Sequence, residues 1–249
     1  MEKVKLNNGI EMPKVGIGTF MLTPDQTEEY VYNALKNGYS TDAYVNERGV
    51  SRGIKRSGIA IEEIFLKTKL WSAFYEEENK YEIMEKAVKE GKVRAVGLSN
   101  FDEEKIQEIW ENFEVKLALL QTEAHPYYPQ TDMKNFLSKY DMKIQAWYPL
   151  GHGDKGLINE KIFTKLGEKY GKSNVQIILR WHIQSDNIVI PGATNPDHIK
   201  ANIDIFDFEL TDEEMQEISK INKNKRYYEG TPELLQSYVA MKPDLDAQK

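Results

Sequence analysis

One pattern recurs along the chain: a short apolar run, then a longer stretch in which apolar residues return every third or fourth position. The first kind reads as strand and the second as amphipathic helix, because side chains alternate across a strand but return to one helix face every ~3.6 residues. The apolar runs predict strands over 15–20, 39–44, 64–70, 93–98, 117–122, 143–148 and 187–191. Between them Ile106, Ile109, Trp110 and Phe113 fall at helical spacing, and Met133, Phe136, Leu137 and Tyr140 repeat it. Thr211 and Glu214 make a capping-box pattern ahead of Met215, Ile218 and Ile221, since hydroxyl and carboxylate each satisfy an unpaired amide of a first helical turn. Ahead of all this, residues 3–12 alternate about Asn7-Asn8-Gly9 and read as a β-hairpin.

Seven strands alternating with helices, with no Pro/Gly/Ser-rich linker and no charge block, predict one parallel α/β domain spanning 1–249. A (β/α)8 barrel of the TIM type, preceded by the hairpin, is the leading architecture. A doubly wound open sheet is the rival, but it expects G-x-G-x-x-G after the first strand, and Gly16-Ile17-Gly18 is only a fragment of that string.

Composition narrows the function. With 33 basic and 40 acidic residues the net charge is −7, which argues against nucleic acid or an anionic membrane as a partner. The absence of cysteine removes disulfides, thiolate metal ligands and cysteine nucleophiles. No run approaches the roughly 18 apolar residues of a membrane span, and residues 1–13 lack the apolar segment of a signal peptide. A cytoplasmic protein is therefore expected. His125, His152, His182 and His198 show no i, i+4 pairing and no carboxylates at ligand spacing, so no metal site is expected. His182, beside Trp181 in a helical stretch, reads as structural, whereas His198 stands near a helix start where it can meet an anion. Serine-hydrolase and nucleotide-triphosphatase readings fall away because neither the Gly-x-Ser-x-Gly elbow nor the phosphate loop is present.

In a parallel α/β protein the chemistry lies at the carboxyl ends of the strands. Tyr44 and Lys69 stand at two of these ends. An ammonium close to a phenol favours the phenolate, so such a pair suits donation of a proton to an oxygen that gains negative charge, as in carbonyl reduction. On the residues alone, Tyr and Lys are common enough that Tyr44 reads first as a strand-end aromatic and Lys69 as a solvated charge. Ser99 and Asn100 can hold a carboxamide or, with Asp102 as a rival, cap the helix through Ile106.

Five strings change that balance: KTKLW at 67–71, GKVRAVGLSNF at 91–101, Gln-Thr-Glu-Ala-His-Pro at 121–126, QIILRWHIQ at 176–184, and the tail from Ile190 through Ile205-Phe206-Asp207-Phe208-Glu209-Leu210. Together, and in this order, they resemble the aldo-keto reductase family, NAD(P)H-dependent enzymes built on a (β/α)8 barrel. The resemblance implies reduction of aldehydes or ketones, with Tyr44 as proton donor and Lys69 as the lysine that tunes it. It places Ser99, Asn100 and Gln121 on the nicotinamide carboxamide and Trp147 on the nicotinamide ring. It places Thr19, Leu150, Thr194, His198 and Asn202 along the rest of the cofactor. NADPH is set only slightly ahead of NADH, because Gly192, Ala193 and His198 stand where NADPH-preferring members carry Lys, Ser and Arg, which thins the donors for a 2′-phosphate. A small carbonyl compound is the expected partner, in a monomer or homodimer. Phe20, Trp71, Tyr127, Tyr128, Tyr227 and Tyr228 are expected to wall the pocket, as aromatics that fit core or rim packing equally well.

The departures from the family are specific. Its aspartate stands in an Asp-Thr-Ala string five residues before the tyrosine, whereas here Asp42 is two residues before Tyr44. The Leu-Ile-His-x-Pro string that carries its histidine is missing, and between Trp71 and Arg94 only one helix, around 80–90, stands where the family has two helices flanking a strand. The expectation is thus a barrel lacking one βα unit, distorted in closing or open at an edge. The alternative function is a weak or inactive reductase-like protein that binds nucleotide, or a shortened engineered variant.

Overall fold

The computed structural model describes residues 1–20, 22–44, 46–69 and 80–240. All seven apolar runs form parallel strands, and the hairpin precedes them. Its strands β1 (Lys3–Lys5) and β2 (Glu11–Pro13) pair antiparallel with Val4 opposite Met12. The turn passes through Gly9 at φ 88°, a backbone that L side chains rarely adopt.

The parallel strands are β3 (Gly16–Gly18), β4 (Ser40–Asp42), β5 (Leu66–Lys67), β6 (Val96–Ser99), β7 (Leu117–Glu123), β8 (Lys143–Trp147) and β9 (Asn187–Val189). They pair in the orders β3-β4-β5 and β6-β7-β8-β9. A parallel bridge between Val15 and Val189, with the Val189 amide donating to Lys14 O at 2.8 Å, joins the two series. The spatial order is then β5-β4-β3-β9-β8-β7-β6, and among the described residues β5 and β6 do not pair with each other. Between them in sequence the only described element is helix α3 (Lys80–Lys89), as the missing unit requires.

Most strands are shorter than their predicted runs, β5 most of all with two residues. β5 is held only by Thr41 opposite Leu66 and Asp42 opposite Lys67. β6 begins at Val96 rather than residue 93, because the Lys92 and Val93 amides both bond back to Ala87 O and close the end of α3.

Helices α1 (Pro24–Lys36) and α2 (Glu47–Ser57) follow β3 and β4. They touch closely because α2 carries Gly53, where a Cβ would stand 2.7 Å from Glu28 O and 2.8 Å from Val31 Cβ. Helix α4 (Glu103–Asn112) is capped by Asp102, whose Oδ1 accepts from the Lys105 amide at 2.9 Å. The cap is therefore neither Ser99 nor Asn100, both of which stand at the end of β6. Helices α5 (Thr131–Ser138), α6 (Lys155–Ile158), α7 (Lys161–Tyr170), α8 (Asn174–Gln184), α9 (Pro196–Ile203), α10 (Asp212–Ser219) and α11 (Pro232–Ala240) complete the chain. The Thr211–Glu214 capping box opens α10 as its pattern predicts.

The largest apolar cluster draws Ile17, Val31, Ile106, Leu120, Ile144, Leu179 and Val189 together between strands and helices. Each such fully buried aliphatic side chain contributes about 1.5–3 kcal/mol relative to exposure. A second cluster, with Phe163, Leu166, Ile177 and Ile218, packs α7, α8 and α10. His182 is structural, as its place beside Trp181 predicts: it is fully buried, bonded to Pro149 O and Asn187, and burial pulls it down to about 3, so it is neutral.

Candidate active site

The parallel register of β4 and β5 sets Asp42 directly opposite Lys67, and strand alternation puts Lys67 and Lys69 on one side. Lys67 Nζ lies 2.5 Å from Oδ1 of the buried Asp42. The other carboxylate oxygen, Oδ2, accepts from Nε2 of Gln121 on β7 at 3.1 Å. Gln121 Nε2 also donates to Gln145 Oε1 on β8 at 2.9 Å, and its Oε1 accepts from the Tyr44 hydroxyl at 3.2 Å and from Lys69 Nζ. Lys69 Nζ stands 5.1 Å from the centre of the Tyr44 ring, against which Phe20 packs edge-on at 5.5 Å.

Burial acts on each member of this group. It pushes the Tyr44 phenol far above its ordinary value, and the Asp42 charge adds to the effect, so the phenol keeps its proton. Burial pulls Lys69 down to about 8, with Asp42 opposing and Lys67 assisting. Lys67 is also lowered by burial, against the pull of Asp42. The arrangement holds a proton donor and an ammonium side by side at neutral pH.

The other residues singled out in the sequence fall into three places. The Thr19 hydroxyl lies 2.9 Å from Asp42 O and 2.8 Å from Asn46 Oδ1, so Thr19 ties the end of β3 to the floor of the site. Ser99, Asn100, Gln121 and Trp147 gather at the ends of β6, β7 and β8: the Asn100 amide donates to Gln121 O at 2.9 Å, and Trp147 Nε1 donates to Asn100 Oδ1 at 2.9 Å. Thr194 and His198 line an open cleft of about 480 Å³ with Gly18, Phe20, Gly192 and Ala193. Leu150 is half-buried between the two apolar clusters, and Asn202 is buried in α9.

Of the expected aromatic walls, Phe20 and Tyr228 stand at the site, the latter 5.2 Å from Trp147 and edge-on to it. Tyr127 does not: it is buried in the second apolar cluster with its hydroxyl on Glu160. Trp71 lies outside the described residues. Four neighbours were given no role in the site from the sequence: Lys67, Gln145, and the fully buried pair Glu123 and His125, bonded at 3.0 Å. Glu123 accepts the amides of Tyr227 at 2.7 Å and Tyr228 at 3.1 Å, which anchors the C-terminal segment beside Trp147. The available signal was two-residue spacing, Lys67 to Lys69 and Gln121 to Glu123, which puts each pair on one strand face.

The cleft lies at the ends of β3 and β9, and the Asn100–Trp147 pair at the ends of β6 and β8. Where a Cβ would stand on Gly192 the space is open for 4 Å, so the cleft is clear there.

Residues 71–223 match the model of the aldo/keto reductase family. The chain belongs to that family. Glyoxal reductase from Bacillus subtilis (strain 168) is 35% identical, covering 94% of this chain and 98% of that protein. The alignment runs over 271 residues, more than this chain contains, so the chain lacks residues that the relative has. Methylglyoxal reductase DkgA from Escherichia coli (strain K12) is 29% identical over 90% of this chain and 94% of its own. Among solved structures, a Bombyx mori aldo-keto reductase in complex with NADP superposes with a TM-score of 0.83 at 27% identity, covering 92% of this chain and 95% of that one. The fold is accordingly that of the (β/α)8 barrel, and the protein is an NAD(P)H-dependent oxidoreductase acting on carbonyl compounds. No helix among the described residues is long and apolar enough to cross a membrane.

Proposed function

We propose that this reductase converts small aldehydes and ketones to alcohols, α-dicarbonyls such as glyoxal and methylglyoxal foremost, with Tyr44 as proton donor and Lys69 as its tuning cation. The observation that carries this reading is the meeting of Tyr44, Lys69 and Asp42 around Gln121 at the strand ends of a family member. The names of the two relatives support the dicarbonyl class.

When bound, the reduced nicotinamide supplies hydride to the carbonyl carbon. Ser99, Asn100 and Trp147 would hold its nicotinamide end; Thr194 and His198, with Thr19, Leu150 and Asn202 around them, would hold the remainder. The chain's own contribution is the proton. Tyr44, kept neutral by burial, turns its hydroxyl from Gln121 to the substrate oxygen and protonates it as charge develops there. Lys69 then faces the phenolate, and its positive charge stabilises the new anion. Phe20 and Tyr228 give the pocket apolar walls that shield the exchange from water.

This division of labour sets a pH dependence. Lys69 is lowered to about 8, so its charge is present below that pH and lost above it. The rate of reduction is expected to hold near neutrality and fall roughly tenfold per pH unit above about 8, as the ammonium disappears. A profile of kcat against pH checks this, and Lys69→Met should remove the limb along with most of the rate.

NADPH remains ahead of NADH, but narrowly. Among the described residues lining the cleft none is Lys or Arg, and His198 is the one imidazole there. A 2′-phosphate is held best by charge-assisted bonds. Gly192 has open space, so Gly192→Lys should fit and tighten NADPH by about tenfold while leaving NADH nearly unchanged. Dissociation constants from nicotinamide fluorescence provide the check.

A further inference from the structure

We propose that Lys134, on α5, is a site of covalent modification whose amine takes a small acyl group from activated donors, acyl phosphates and thioesters. Its side chain lines a cleft of about 170 Å³ with Ser138, Asp141, Lys143, Asp186 and Asn187. The cleft lies at the amino ends of β8 and β9, away from the strand ends that carry Tyr44 and Lys69. The proposal is therefore independent of the reductase reading. Such a volume equals roughly five waters at about 30 Å³ each, which leaves room for the few heavy atoms of an acetyl group.

Two features set this lysine apart. An ammonium offers three donors, and among the described residues Lys134 Nζ spends one, on Ser185 O at 3.1 Å. No carboxylate among those residues pairs with it, whereas Lys143 on the same cleft is held by Asp186 at 2.8 Å. A half-buried ammonium without a counter-charge is costly, and the cost disappears when the amine is neutral. Burial accordingly pulls Lys134 down to about 8, against the Asp186 charge. The other titratable groups around it are Asp141 from the turn after α5, Lys143 from β8 and the neutral His182 from α8. At pH 7 roughly a tenth of Lys134 is then free amine, against less than about a thousandth of an ordinary lysine.

The lone pair of that amine attacks the acyl carbonyl carbon, and a C–N bond forms. The C–O bond to phosphate, or the C–S bond to the thiol, breaks, and the leaving group departs with the electron pair. The amine proton passes to solvent. A neutral amide remains, whose N–H keeps a donor for Ser185 O while the acyl group occupies the cleft.

The test treats the full chain with acetyl phosphate over a range of about pH 6.5–9.5 and follows acetyl-Lys134 by peptide mass spectrometry. The same lysine in the guanidinium-unfolded chain is the reference. In the folded chain the rate should level off above about pH 8 and, at pH 7, exceed the unfolded rate by about fivefold. In the unfolded chain it should keep rising about tenfold per pH unit toward the ordinary value of about 10.4. Lys134→Arg should remove the acetylated peptide and leave carbonyl reduction unchanged. Acetylation of folded Lys134 no faster at pH 7 than in the unfolded chain would overturn the proposal. So would a folded rate that climbs in step with the unfolded one through about pH 9.

Discussion

Tyr44→Phe is expected to lower the rate of carbonyl reduction by about 10²–10⁴-fold, the range that a positioned general acid contributes. The substitution removes one oxygen and keeps the ring against Phe20 and beneath Lys69. What is lost is the proton for the developing alkoxide, together with the hydroxyl's bond to Gln121, worth about 1 kcal/mol. The cofactor cleft is untouched, so the NADPH dissociation constant should stay within about twofold. Residual turnover over the uncatalysed reaction is expected, because a site that still aligns hydride and carbonyl retains part of its effect when one member is removed. Steady-state kcat beside fluorescence titration of the cofactor separates the two effects.

Glu123→Ala is expected to cost about 3–5 kcal/mol, the largest stability loss among the substitutions considered. Glu123 is fully buried and accepts from His125, Tyr227 and Tyr228. Its removal leaves those donors without a partner, and the cost of burying them unpaired exceeds the value of any one bond. For a chain of this length the melting temperature should fall by roughly 6–20 °C. Loss of the two amide anchors also frees Tyr228 from its place beside Trp147, so KM for the carbonyl substrate should rise more than kcat falls. The pH dependence carries a second signature. Burial raises the Glu123 carboxyl, but the bonds from His125 and the two amides outweigh it and hold the group below its ordinary 4.5. A carboxylate lowered in the folded state stabilises the fold above the ordinary value, and that stabilisation is lost as pH falls through the lower folded value. The unaltered chain should therefore lose stability steeply below about pH 4.5, and Glu123→Ala less so. Thermal unfolding across that range reads both effects.

Much of the architecture was legible from apolar period alone. Every strand from β3 to β9 lies within or overlaps its predicted run. Boundaries moved in most strands, since pairing rather than apolarity decides where a strand ends, and β5 kept only two residues of its run. The interruption between β5 and β6 was legible as a missing string in KTKLW…GKVRAVG, and the series of pairings places it at the same point. In the site, Asp42, Tyr44, Lys69 and Gln121 were nameable one by one. Their mutual geometry was not, because it depends on register: Lys67 faces Asp42 only once β4 and β5 are aligned. Tyr127 shows the opposite limit, since an aromatic after a strand end reads alike as pocket wall or core, and contact with Leu157 and Phe163 decided for the core.

The central claim is that a chain without the Leu-Ile-His-x-Pro string and its histidine still assembles a working reductase around Tyr44 and Lys69. The most direct measurement loads the purified chain with NADPH, confirms binding by nicotinamide fluorescence, adds methylglyoxal and follows oxidation of the cofactor, with Tyr44→Phe in parallel. The account predicts binding in both proteins and oxidation that depends on Tyr44. Binding with no oxidation in the unaltered chain, or oxidation that survives Tyr44→Phe at full rate, would contradict it.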